Sequence, residues 1–192
     1  MKRHGVESRT LNLNLMGVVY FAMFFISFLI NSIRPIFYFP KMGLEFWHTM
    51  LVDSVYGIVL GAIVSLISFV LLKSFSILQD LSKEFSQLLG PLDVKSIFFL
   101  SWFSSVGEEF FFRGLLQHYV GLVPAALLFG LMHIGPNKKY LSWTIFAIVM
   151  GVLLGAIYDW RRNLILPVMV HFTVNFINLC TMSTQAHGAE NS

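Results

Sequence analysis

The sequence predicts an all-α protein: a polytopic transmembrane helix bundle of about six membrane segments plus one interfacial amphipathic helix. Three observations carry that prediction. Hydrophobic residues make up 56% of the chain and charged residues only 12%, the latter about half the ~25% of a soluble domain. Charge-free runs of bilayer length recur along the sequence. One intervening stretch places apolar residues on one helical face and charges on the other.

With 192 residues and a mean hydropathy of +0.73, the chain has room for one membrane domain with short loops. Residues 15–33 contain no charge and extend about 28 Å as a helix, enough to span. A signal peptide has a shorter apolar region and a small-residue cleavage site, so this run reads as a retained helix. Residues 36–48 mix aromatics with Pro, Gly and charge, the composition of a membrane interface. A second span fits residues 55–72. From 74 to 89, Phe75, Leu78, Leu81, Phe85 and Leu88 recur every three or four positions, with Asp80, Lys83, Glu84 and Gln87 opposite. This predicts a helix lying on the membrane surface.

Gly90 and Pro91 end that helix, and a third apolar segment starts near Ser96. A fourth run, 120–133, is short and contains Pro124, which predicts a tilted or re-entrant segment. Fifth and sixth spans fit 143–160 and 164–182. The domain plan is therefore N-terminal spans and interfacial helix over 1–95, a helical core over 96–182, and a disordered tail over 183–192. Six crossings with a cytoplasmic N-terminus put eight Lys and Arg inside and four outside, with Arg113 held within the bundle. The net charge is +3, but the basic residues lie between apolar runs and form no block, so no nucleic-acid partner is expected. The single cysteine, Cys180, forms no intrachain disulfide and reads as a small apolar residue.

Against this apolar background, the stretch GEEFFFRG (107–114) stands out. On a helix Glu109 and Arg113 are four apart and share a face, so they can pair. Glu108 points about 100° away with no local cation. An unpaired carboxylate at membrane depth costs about 2.5 to 3.5 kcal/mol on insertion scales, so its partners must come from other helices. The candidates are His133, which ends PAALLFGLMH, and His171 with Asn175, four apart in HFTVN. Brought together in a bundle, Glu108, His133, His171 and Asn175 supply a general base, an imidazole to orient water, and two oxyanion donors, the parts needed for water attack on an amide. Each residue also has a structural reading. Glu109 with Arg113 fixes helix register, His133 caps a helix beside Gly135 and Pro136, and His171 with Asn175 forms an interhelical hydrogen-bond pair. Gln117, His118 and Asn178 read as supporting polar residues.

Three ordered motifs, EEFFFR (108–113), FGLMH (129–133) and HFTVN (171–175), resemble those of the CPBP intramembrane proteases, a family that includes the CAAX prenyl endopeptidases and bacterial Abi proteins. The resemblance covers about residues 97–180, with no departure at the motif positions. It implies an intramembrane endopeptidase of the bacterial plasma membrane that cleaves a peptide or membrane-protein substrate within the lipid bilayer. Glu108 and His133 would activate water, His171 and Asn175 would hold the oxyanion, and Glu109 and Arg113 would support the first motif. Phe129, one turn before His133, is expected to pack under its imidazole. No cofactor is required by this reading. The alternative is zinc held by Glu108, His133 and His171. The lack of a His-Glu-x-x-His helix or of a cysteine near the site, and the poor ligand quality of asparagine, favour hydrolysis without metal. Two other function classes fit a polar membrane core: a non-proteolytic scaffold, as in bacteriocin immunity or regulation, and a proton or ion pathway. Neither needs the oxyanion pair.

Overall fold

The computed structural model describes residues 12–37 and 43–186 in full and the helical backbone of 187–190. Every described element is a helix. In order they are α1 (Leu13–Ile33), α2 (Leu44–Ser74), α3 (Ser76–Leu89), α4 (Val94–Glu109), a π-helical segment (Phe110–Leu116), α5 (Gln117–Val120), α6 (Leu122–Leu131), α7 (Tyr140–Arg161) and α8 (Ile165–Glu190). Lys2, Arg3, Arg9 and Lys41, used in the orientation count, lie outside the described residues, as does much of the interfacial stretch 36–48.

Four of these helices, Leu13–Ile33, Leu44–Ser74, Tyr140–Arg161 and Ile165–Ala186, are long and apolar enough to cross a bilayer. The chain is an integral membrane protein, with four such helices among the described residues where about six membrane segments are expected from the sequence. α6 has only ten residues, about 15 Å of helix, half a hydrocarbon core. The third expected span exists as a helix, but it is built from α4, the π-helical segment and α5 in unbroken succession and carries the charged motif.

α1 begins where the Asn12 side chain accepts the Leu15 amide at 3.1 Å. It ends where Asn31 Oδ1 accepts the amides of Ile36 and Phe37 at 2.7 and 2.9 Å, turning the chain around Pro35. α2 starts at Leu44, eleven residues before the expected span at 55. The early start is possible because Asp53, fully buried, is neutralised from across the bundle. Arg161 donates to its Oδ1 at 2.6 Å and Asn163 to its Oδ2 at 2.9 Å. Arg161, counted as an outer loop charge, is thus one half of an ion pair.

α2 packs along α8 through a stripe of small residues, Gly57, Gly61 and Ser65, all buried. A Cβ at Gly61 would sit 2.6 Å from Thr173 Cβ and 2.9 Å from the Val170 carbonyl, and one at Gly57 would collide with Met169. Small residues at a four-residue spacing let two membrane helices approach closely enough for backbone contact. Beside this seam Met150, Leu154 and Ile157 of α7 meet Leu166, Val170 and Val174 of α8 in the main apolar core. Large apolar side chains elsewhere on α1 and α2, such as Val18, Phe21, Phe25, Val59 and Leu66, are exposed, as lipid-facing residues must be.

α3 differs from the expected surface helix in what it buries. Its serines dock on α8: Ser82 Oγ donates to Gln185 Oε1 and Ser86 Oγ to the Met182 carbonyl, each at 2.9 Å. Phe75 and Ile77 stay exposed. The same docking reaches the C-terminal residues. α8 continues to Glu190, and Ser183 and Ala186 are buried, with Ser183 Oγ accepting the Leu92 amide at 2.9 Å.

Candidate active site

Where α4 gives way to the π-helical segment, the chain carries its first motif. The wider turn follows immediately after Glu109, in a region where inserted residues of this kind often re-aim side chains. Gly107 precedes the two glutamates because α1 crosses there: a Cβ at this position would lie 2.5 Å from the Tyr20 carbonyl oxygen.

Glu109 is fully buried and is shared by two partners. Its Oε1 accepts from Arg113 Nη1 at 2.8 Å and lies 2.8 Å from His171 Nδ1. The spacing alone indicates the first contact, and the second comes from α8. Arg113, 2% exposed, uses Nη2 to reach the Gly151 carbonyl of α7 at 3.3 Å. Its guanidinium carbon sits 4.5 Å from the centre of the Phe129 ring, a cation–π contact that a desolvated setting strengthens. The motif therefore joins α4, α6, α7 and α8.

His171 is the hinge of the cluster. With Nδ1 facing Glu109, its Nε2 faces Glu108, 3.8 Å from Oε2. That oxygen of Glu108 is buried and makes no hydrogen bond within the described residues. His133 lies within electrostatic reach of Glu108 without a direct hydrogen bond. At the end of α6 its Nδ1 is 2.7 Å from the Phe129 carbonyl, so this nitrogen carries the hydrogen and Nε2 is left as the free ring nitrogen. Its ring is clamped between Phe129 and Trp143, with centroids at 4.7 and 4.9 Å. Phe129 also meets the His171 ring edge-on at 5.9 Å.

Asn175, one turn beyond His171, donates from Nδ2 to Ser104 Oγ at 3.0 Å. Ser104 is one turn before Glu108 on α4. The pairs Ser104 with Asn175 and Glu109 with His171 run in opposite senses along the two helices, which fixes α4 and α8 as antiparallel neighbours. Asn175 has a second amide hydrogen left for another acceptor. Ser104 and Trp143 were missed as site residues. The sequence signal for Ser104 is the serine-rich face of α4, where Ser101, Ser104 and Ser105 are all buried. No sequence signal marks Trp143.

Of the remaining polar residues, Gln117 is buried and donates to the Gly155 carbonyl at 3.1 Å, whereas His118 is exposed and Asn178 half-buried. Among the described residues no three His, Cys, Asp or Glu side chains converge as a metal-ligand set. The Nδ1 contact with Glu109 leaves Nε2 of His171 as its open ring nitrogen, facing Glu108.

Comparison with known proteins bears on the same region. The Rce1-like type II CAAX prenyl endopeptidase family matches over residues 90–177, a segment that includes Glu108, Glu109, Arg113, Phe129, His133, His171 and Asn175. The Bacillus subtilis (strain 168) protein named Uncharacterized protein YpbD is 33% identical over 129 residues, covering 65% of this chain and 66% of that protein, just under two thirds. No solved structure matches the chain significantly. Over residues 90–177, just under half of its length, the chain is thus similar to the Rce1-like type II CAAX prenyl endopeptidase family.

Proposed function

We propose that the protein is an intramembrane endopeptidase that hydrolyses peptide bonds by glutamate-activated water. The observation that carries this reading is the asymmetry of the two adjacent glutamates. Glu109 holds Arg113 and His171 through Oε1, its Oε2 being buried and unpaired, while the neighbouring Glu108 makes no hydrogen bond among the described residues and its buried Oε2 faces His171 Nε2. One carboxylate is used to build the cluster, and the other is free to take a proton.

In this reading Glu108 accepts a proton from a water molecule that the free Nε2 of His133 helps to orient. The water oxygen attacks the peptide carbonyl carbon. The developing oxyanion takes a hydrogen bond from the second amide hydrogen of Asn175 and, when His171 carries a proton on each ring nitrogen, from its Nε2–H, its Nδ1–H being given to Glu109. Collapse of the tetrahedral intermediate breaks the C–N bond, and Glu108 returns the proton to the leaving amine. Glu109 and Arg113 position His171 and the first motif, and do not touch the substrate. Because the three candidate zinc ligands do not converge, no step is assigned to a metal. The substrate is a peptide or membrane protein in the lipid bilayer, and the N-terminus is cytoplasmic in this reading.

The test is cleavage of bilayer-embedded peptides by the full chain reconstituted in liposomes, comparing the native protein with Glu108→Gln and Asn175→Ala. Both variants should remain folded and lose turnover. Normal turnover by Glu108→Gln would overturn the base assignment. Full biological function by a folded Asn175→Ala protein would favour a scaffold instead.

A further inference from the structure

A cavity lined largely by polar side chains lies away from the cluster just described, between the end of α2, one face of α3 and the end of α8. Its volume is about 510 Å³, within the roughly 300–1,000 Å³ of small-ligand sites. Lys73, Lys83, Gln79, Gln87 and Gln185 line it, and no carboxylate does. Three of these come from α3 at i, i+4 and i+8, which a helix places on one face. Asp80 and Glu84 fall outside the lining, and Glu84 accepts from Asn137 at 3.1 Å on another flank.

The lining is arranged to donate. Neither lysine forms an ion pair among the described residues. Gln185 uses its oxygen to accept from Ser82, which leaves its amide hydrogens for a ligand. Gln79 gives one hydrogen to the Lys73 carbonyl at 3.2 Å and retains another. The remaining wall is Phe69, Leu72 and Ser86, whose hydroxyl is given to the Met182 carbonyl, and Lys73 Nζ lies over the Phe69 ring at 5.3 Å.

Position fixes the chemistry further. Lys73 stands at the end of one span-length helix and Gln185 at the end of another, so the cavity opens where hydrocarbon gives way to headgroups. We propose that it binds a phosphate-bearing anion, supplied in the membrane by the headgroup of an anionic phospholipid whose chains lie along Phe69 and Leu72. Two unpaired cations and amide donors answer the phosphodiester oxygens, and basic pockets between helices at a membrane face recognise headgroups in this way.

The full chain in nanodiscs or mixed micelles tests this, with native mass spectrometry and thermal unfolding as readouts. The probes are dioleoyl phosphatidylglycerol, dioleoyl phosphatidylcholine and inorganic phosphate. Retention of phosphatidylglycerol should exceed that of phosphatidylcholine by about thirtyfold, given two cations near the surface. Lys73→Gln with Lys83→Gln should remove that preference, whereas Lys73→Arg with Lys83→Arg, and Lys138→Gln with Lys139→Gln, should keep it. A phosphate-induced stabilisation of the native protein that equals that of phosphatidylglycerol and vanishes in the double Gln variant would assign the site to free phosphate rather than lipid. Equal retention of the two lipids with no effect of phosphate, or an unchanged preference in a folded double Gln variant, would overturn the proposal.

Discussion

Glu109→Gln is the substitution that tests the architecture of the cluster most directly. It preserves shape and leaves an oxygen where Oε1 now stands, but removes the charge. Arg113 would keep its 3.3 Å contact to the Gly151 carbonyl and the Phe129 ring at 4.5 Å, yet it would be a cation, 2% exposed, without its carboxylate. Breaking a buried pair by removing one partner costs about 3 to 5 kcal/mol. The retained hydrogen-bond acceptor and the cation–π contact place this case near the lower end, at about 3 kcal/mol. That is a large share of the roughly 5–15 kcal/mol holding a typical fold. At about 2–4 °C per kcal/mol for a chain of this size, the midpoint should fall by about 6–12 °C.

Thermal unfolding in detergent, followed by loss of the monodisperse species, measures that fall. The discriminating measurement is a cycle with Arg113→Gln. If the two charges compensate one another, each single variant is destabilised and the double variant loses clearly less than their sum. A Glu109→Gln protein that melts within about 1 °C of the native one, or strict additivity in the cycle, would refute the reasoning that Arg113 depends on Glu109.

Glu108→Gln should behave in the opposite way. Its Oε2 has no hydrogen bond to lose, so the melting midpoint should be preserved, while peptide cleavage in liposomes should drop about 10²- to 10⁴-fold if it is the general base. Ser104→Ala removes the acceptor of the Asn175 amide. With one hydrogen bond of about 1 kcal/mol lost from a positioning contact, kcat should fall about fivefold with KM little changed. Gly107→Ala forces a methyl group to 2.5 Å from the Tyr20 carbonyl oxygen and must push α1 away, which should destabilise the fold by about 1–3 kcal/mol in the same unfolding assay. Exhaustive chelation should leave turnover in liposomes intact, since Glu108, His133 and His171 do not converge as ligands. Loss that zinc alone restores would show that the site rearranges around a metal.

What could be read in the sequence follows from how local each signal is. The apolar runs at 15–33, 143–160 and 164–182 anticipate α1, α7 and α8 because hydrocarbon length and helix rise constrain each run by itself. The pairing of Glu109 with Arg113 is legible for the same reason, being set by one helical turn. Partners far apart in the chain are not. The span expected from 55 begins past Asp53, and the partners that let this carboxylate lie buried inside α2, Arg161 and Asn163, come from the other end of the sequence. At the end of α8, Ser183 and Gln185 contact the turn before α4 and α3, partners that no local pattern in the sequence announces.

The candidate site shows the same division. Its residue types stand out against an apolar chain, because a titratable side chain at membrane depth needs a reason to be there. Their partners depend on the register between α4 and α8. Ser104 with Asn175 and Glu109 with His171 pin that register at two points about one turn apart. A slide of one residue would swing each polar group about 100° off the shared face and leave it against lipid or apolar core. The contact from Glu109 to His171 therefore orients an imidazole and also fixes which face of α4 meets α8. That register leaves Glu108, the adjacent residue, inside the bundle with Oε2 uncommitted. An ideal helix projection separates the two glutamates by angle, but only the packed pair of helices gives them different partners.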